Sequence, residues 1–284
     1  MPTTLRILLD VVRFRLRKLE MGNLAAVGAI GLTLQLGAGD LGLRLLAAAL
    51  LNAAVYLNND YLDVSADLEA VGRDREAGTF LHTHMDAALR LQWVLAALLV
   101  LVGLAHAQQH GADLLIASLL GGAICVAYSV RLKHLAFADV AAMTAWGVAM
   151  PMLGFPFDSQ LGWALAIQLG LFSSVFESMQ VVRDRQRDAA QGIRTTAVVL
   201  GATRTLLQVR SLLVVCALYT AAVLHPAIGA LPLAAALLPL GEGSAARDWN
   251  RIKALCGLSF LASCALIWSD GSTEGLWLQL RALG

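Results

Sequence analysis

The stretch LRLLAAALLNAAVYLNNDYLDVSAD, residues 43–67, runs an apolar segment directly into three aspartates, Asp60, Asp63 and Asp67. The apolar part reads as a membrane-crossing helix, because about 20 predominantly apolar residues span a bilayer. The acids at its end then need a reason to be there. An ionisable group at membrane depth costs ~2.5–3.5 kcal/mol on insertion scales and usually marks a functional pathway. On an ideal helix at ~100° per residue, Asn59, Asp60, Asp63 and Asp67 fall within an arc of about 100°. Three carboxylates and an amide oxygen therefore face one way, with Asn52 and Tyr56 near the same face, deeper in the apolar run.

The rest of the chain has the same character. Of 284 residues, 58% are hydrophobic and only 14% charged, against roughly 25% charged in soluble domains. A net charge of +1 without a basic, aromatic-interleaved stripe argues against a nucleic-acid partner. Cys125, Cys216, Cys256 and Cys264 lie inside apolar runs with no CxxC or Cys/His ligand spacing, so they read as buried thiols. Residues 1–21 are basic and amphipathic and lack a signal-peptide core. They are expected to form a helix on the cytoplasmic membrane surface.

Nine apolar stretches are long enough to be candidate spans: 22–39, 42–60, 87–107, 113–130, 138–156, 161–181, 205–224, 226–241 and 253–269. Nothing between them is large and polar enough for a soluble domain, so residues 1–284 read as one integral-membrane domain. With the amino terminus in the cytoplasm, nineteen of the 21 lysines and arginines fall on the inside; Arg44 and Arg281 fall outside. That is a strong positive-inside bias, and it points to the cytoplasmic membrane. The two long inside connections, 61–86 and 182–204, each begin with acids and stand four spans apart. The expected architecture is an all-α membrane protein with nine transmembrane helices in one bundle, two four-helix halves plus one.

The second connection begins in FESMQVVRDRQRDAAQGIRTT, residues 176–196. Glu177, Asp184 and Asp188 share an arc of about 40° on an ideal helix, and Asp184 and Asp188 are surface neighbours at i, i+4. Taken alone, either cluster fits a solvated helix end or pairing with nearby arginines. Neither explanation accounts for two clusters at one membrane face with their acids aligned. Oxygen-rich sets without histidine suit Mg²⁺, which is held by carboxylates together with a substrate's phosphate oxygens. Two such helices would hold a diphosphate through the metal. Arg73, Arg75, Arg131, Lys133 and Arg194 lie on the same inside face, placed for charge-assisted bonds to it. Arg183, Arg185 and Arg187 alternate with the acidic face and read as snorkelling anchors or surface charge.

These residues carry a resemblance. NNDYLDVSAD resembles the NDxxDxxxD signature of UbiA-type intramembrane prenyltransferases, RDRQRDAAQGIRTTAVVLG looks like their second signature, and AYSVRLKH is similar to their Tyr-Ser-x-x-x-Lys stretch. The three motifs occur in the family's order and cover nearly the whole chain. The resemblance implies Mg²⁺-dependent transfer of a prenyl group from a prenyl diphosphate to a lipophilic or aromatic acceptor in the bilayer. It implies Asn59, Asp60, Asp63, Asp67, Asp184 and Asp188 as metal and diphosphate ligands. Asp63, Asp67, Tyr128 and Lys133 are the implied catalytic residues, with Asn59, Arg73, Arg131, Lys133 and Arg194 on the diphosphate. The loop AVGRDREAGTFLHTHMD lacks the family's proline-containing segment, and Gln180 and Val181 stand where an Asn is often found. Those departures fall on the acceptor side and leave a second expectation open, a membrane terpene cyclase working without an acceptor. His82 and His84 in that loop read as solvent-facing. Trp146, Phe155, Phe172 and Phe176 are candidate wall residues, which packing alone would also explain. A metal-dependent transporter is the third possibility, disfavoured because its acids would be expected near the bilayer midplane.

Overall fold

The structure, a computed structural model, describes residues 2–17, 21–68, 73–273 and 275, and leaves out the side chains of residues 17, 66, 67 and 73–77. Among the described residues every extended element is a helix, and the strand-like pairing is confined to a bridge between Leu135 and Arg194. In chain order the helices are α1 (Thr3–Arg17), α2 (Gly22–Thr33), α3 (Ala38–Leu62), α4 (Val64–Leu68), α5 (Arg73–Thr83), α6 (Met85–His110) and α7 (Asp113–Val130). They continue with α8 (Ala138–Ala149), α9 (Gln160–Ala190), α10 (Thr196–Leu200), α11 (Ala202–Tyr219), α12 (Pro226–Ala236) and α13 (Ala245–Asp270).

Six helices among the described residues are long and apolar enough to cross a membrane, those containing α3, α6, α7, α9, α11 and α13. The other three expected spans yield shorter helices, for local reasons. The stretch expected at 138–156 is helical only to Ala149, then tightens into a 3₁₀ turn at Pro151–Gly154. Proline lacks the N–H that would continue the helix and clashes with the preceding turn. Pro232 lies inside α12, which ends at Ala236, and α2 stops at Thr33. The apolar surface left facing outward is extensive and includes Trp93, Leu101, Leu119, Leu207, Leu218 and Leu261. Where water is absent, backbone groups must be satisfied within the chain, which is why apolar spans are helical.

The core is tightest where small residues let helices meet. A Cβ built on Gly147 of α8 would lie 2.3 Å from the Cβ of Ser173 in α9, and one on Gly170 of α9 would lie 2.3 Å from Val148 Cγ2. Close approach through glycine is a recurrent device of membrane helices. The turn Pro151–Gly154 and Phe155 are also fully enclosed. Arg44 closes this region from the far end of α3. It is 0% exposed, donating from Nη1 to the carbonyls of Leu153 (3.2 Å) and Phe155 (3.0 Å). It also pairs with Asp40 (2.7 Å) and Asp113 (2.8 Å), and His106 bonds Asp40 at 2.8 Å. Arg44, one of the two basic residues expected outside, is the centre of a buried polar cluster joining α3, α6 and α7.

A second, smaller core sits beside the first acidic cluster. Ile7 and Val11 of α1 are buried with Ala53 and Leu57 of α3, Val64, Leu81, and Ala88 and Leu91 of α6. Arg6 lies over the Phe80 ring of α5, 3.8 Å from its centroid. The amphipathic amino-terminal helix expected on the membrane surface therefore lays its apolar stripe on the protein.

Candidate active site at the two acidic clusters

The first cluster is built where α3 ends. The helix does not run on through Asp67. Its last turn is closed by Asp63, whose N–H donates to the Asn59 carbonyl at 2.9 Å, and α4 starts afresh at Val64. The straight-helix arc therefore holds for Asn59 and Asp60 and is interrupted at Asp63. The Asp67 and Arg73 side chains lie outside the described residues, as does that of Arg75.

Each acid that is described has a specific partner. Asp60 is paired with Arg15 of α1, whose guanidinium lies 4.8 Å from the Tyr56 ring centroid. Asp63 is paired with Lys133, carried by the 3₁₀ turn Leu132–His134 after α7. Asn59 Oδ1 accepts from the Ser129 hydroxyl at 3.4 Å. Next to Ser129, the Tyr128 hydroxyl donates to Glu177 Oε1 of α9 at 2.9 Å. The carboxyl-terminal end of α7 and the turn after it thus bridge the clusters, touching the first through Ser129 and Lys133 and the second through Tyr128.

In the second cluster Asp184 takes a two-point contact from Arg183, at 2.9 and 2.7 Å. Arg187 lies 3.7 Å from Asp184 and 3.9 Å from Asp188. Asp188 also accepts from the Thr195 hydroxyl at 3.4 Å. Arg185 turns away to Glu242, at 2.9 Å. Arg183, expected to be a snorkelling anchor or surface charge, is a direct partner of the acid beside it. Arg131 and Arg194 are exposed and make no ion pair among the described residues. Both stand in the two loops joined by the Leu135–Arg194 bridge.

The structure thus brings Asn59, Asp63, Tyr128 and Lys133 together with Glu177, and places Asp60, Asp184 and Asp188 on either side. Among the described residues no three His, Cys, Asp or Glu side chains converge into a metal site as they stand. The carboxylates are neutralised by Arg15, Lys133 and Arg183 instead. Arg15 had been read only as part of a basic amphipathic helix, since its partner lies 45 residues away in the chain. Asp139, which is fully buried at the start of α8, was not singled out at all. His82 is exposed, and His84 bonds the Phe80 carbonyl at 2.9 Å between α5 and α6. Trp146, Phe155 and Phe172 are buried in the main core, with Phe176 packed against it. The four cysteines are free; three are buried and Cys125 is half-buried.

Comparison with known proteins bears on the fold and the family. Curated protein sequences contain no significant match. Among solved structures, a UbiA homologue from Archaeoglobus fulgidus bound to GPP and Mg²⁺ superposes with a TM-score of 0.64 at 17% identity, covering 94% of this chain and all of that one. The same homologue bound to DMAPP and Mg²⁺ gives 0.65 at 17% identity, with 95% and 100% covered. A digeranylgeranylglyceryl phosphate synthase gives 0.65 at 14% identity, with 93% and 99% covered. At these identities the likeness is one of fold. The sequence profile of the UbiA prenyltransferase family matches residues 24–264, and the chain belongs to that family of multi-pass membrane proteins.

Proposed function

We propose that the chain is a Mg²⁺-dependent intramembrane prenyltransferase, transferring a prenyl group from a prenyl diphosphate to a lipophilic or aromatic acceptor. The observation that carries this reading is the bridging of two acidic clusters by one lysine-bearing turn, through Lys133–Asp63 and Tyr128–Glu177. Relatives in the fold were solved with GPP or DMAPP and Mg²⁺, which supports the same ligand class here. The proposal takes the bundle as one domain of nine spans, with the amino terminus and both clusters facing the cytoplasm.

The donor set fits magnesium. Asn59, Asp60, Asp63, Asp184 and Asp188 offer hard oxygen ligands with no histidine or thiolate among them. Asp67 would join them by its place in the motif. Bound there with a prenyl diphosphate, the ion would neutralise charge that builds on the leaving group. The remaining work falls to the chain. Lys133 turns from Asp63 to the diphosphate and donates to its oxygens, a contact that strengthens as the allylic C–O bond opens. Arg131 and Arg194 add cationic donors from the adjoining loops, and Arg73 would join them by its place after the first motif. Tyr128 is held in one orientation by Glu177. The apolar helices exclude water from the allylic cation until the acceptor captures it.

The test is turnover. Purified protein in lipid is incubated with Mg²⁺ and allylic diphosphates of several lengths, with and without electron-rich aromatic acceptors, and diphosphate release and products are followed. Acceptor-dependent release, abolished by EDTA and restored by Mg²⁺, is the expected result. A cyclic product formed without acceptor would replace transfer by cyclisation. No release from any chain length would overturn the reading.

A further inference from the structure

We propose that Asp139 is a positioning residue, which locks the Lys133 turn to the loop after the second acidic cluster and so sets the distance between the two halves of the site. This rests on the prenyl-transfer reading above, because the site it positions is the one assigned there.

Asp139 is a carboxylate with 0% exposure, a costly placement unless the charge is fully hydrogen-bonded. The bonds it makes go to backbone and hydroxyl. Oδ1 accepts from the Val140 N–H at 2.8 Å and from the Thr196 hydroxyl at 2.5 Å, and Oδ2 accepts from the Thr196 N–H at 2.7 Å. The Thr196 oxygen in turn accepts from the Phe137 N–H at 2.7 Å. Charge-assisted bonds of this kind are short and about twice as strong as neutral ones. Two backbone N–H groups, at the starts of α8 and α10, are thereby fixed on one carboxylate, and the Phe137 N–H is tied to it through the Thr196 hydroxyl.

What those loops carry gives the arrangement its purpose. Upstream of Asp139 lie the Leu132–His134 turn, with Lys133 on Asp63, and the Leu135–Arg194 bridge. Upstream of Thr196 lies Thr195, whose hydroxyl reaches Asp188. A continuous path therefore runs from Asp63 through the Lys133 turn, Asp139 and Thr196 to Asp188. The connection also holds Phe137 at φ 68°, a left-handed conformation, with its ring exposed. Such backbone strain persists only where the surroundings over-determine it. Phe137 gains nothing from burial, and its N–H is one of the three groups gathered here.

The experiment compares full-length Asp139→Asn, Thr196→Val and Thr196→Ser with the unmodified protein in lipid nanodiscs. Asp139→Asn keeps the shape but sets an amide N–H₂ against N–H donors; Thr196→Val removes the hydroxyl; Thr196→Ser keeps it. Hydrogen exchange is read by peptide, and KM is measured separately for prenyl diphosphate and for acceptor. Asp139→Asn and Thr196→Val should speed exchange in peptides covering 132–138 and 192–197, leaving α3 and α9 protected. Weakening one charge-assisted contact to the diphosphate is expected to raise its KM about tenfold, with the acceptor KM unchanged and Thr196→Ser near the original values. Unchanged loop exchange, or loosened loops with unmoved diphosphate KM, would overturn the proposal. So would exchange rising throughout the bundle, which would make Asp139 a general stability residue. If the unmodified protein turns over no prenyl diphosphate, the functional reading fails instead, and the exchange pattern still decides whether the two loops are locked.

Discussion

Lys133 reaches Asp63 across 70 residues of sequence, and its charge is the one best placed to move from a carboxylate to a bound anion. Losing a preorganised donor to developing charge typically costs roughly 10²-fold in kcat. Lys133→Met is expected to lower kcat by about that factor and Lys133→Arg by much less, checked by steady-state kinetics at saturating Mg²⁺. Arg15 makes the corresponding contact on Asp60. Lys133 was legible from its motif and its place on the inside face. Arg15 was not, because a basic helix has many arginines and only docking selects the one that meets an acid. Glu177 was visible as a member of an acidic arc, but its pairing with Tyr128 depends on how α7 and α9 meet.

At the scale of helices, two contacts decide how the site is held. α1 places Arg15 by burying Ile7 and Val11 against α3 and α6. An aspartate at Val11 would be desolvated without a partner, at a cost of ~2 kcal/mol or more. Val11→Asp should therefore release α1, read as faster proteolytic cleavage within residues 1–21 while the remaining bundle stays intact. The α8–α9 crossing positions Asp139 relative to Asp188, and it has no room for a side chain at Gly147. Overpacking a tight core costs ~1–3 kcal/mol, so Gly147→Leu is expected to lower thermal stability in lipid or detergent, and Gly147→Ala to do so less. Helix ends were the least legible feature. The 3₁₀ turn at Pro151 interrupts a stretch whose hydropathy continues, and the break at Asp63 interrupts an arc of acids that an unbroken helix would align.

For the whole molecule the strongest inference is orientation. Nineteen of the 21 basic residues fall on one side when the amino terminus is inside. Single cysteines at exposed Gln191 and Gln109 test it with a membrane-impermeant thiol reagent. Position 191 should react only in inverted vesicles and position 109 only from the outer face, with little background from the native thiols; the reverse pattern would invert the topology. Composition and hydropathy determined by themselves that the chain is helical and membrane-embedded, because lipid leaves an apolar backbone few alternatives. The motifs determined the family, since residue type and spacing along a helix are local properties. Only the tertiary structure decided which cation neutralises which acid, that Arg44 is buried and α1 docked, and that Asp139 and Thr196 join the two loops. Those are contacts between segments far apart in the chain, selected by packing, and no local pattern encodes a partner 57 residues away.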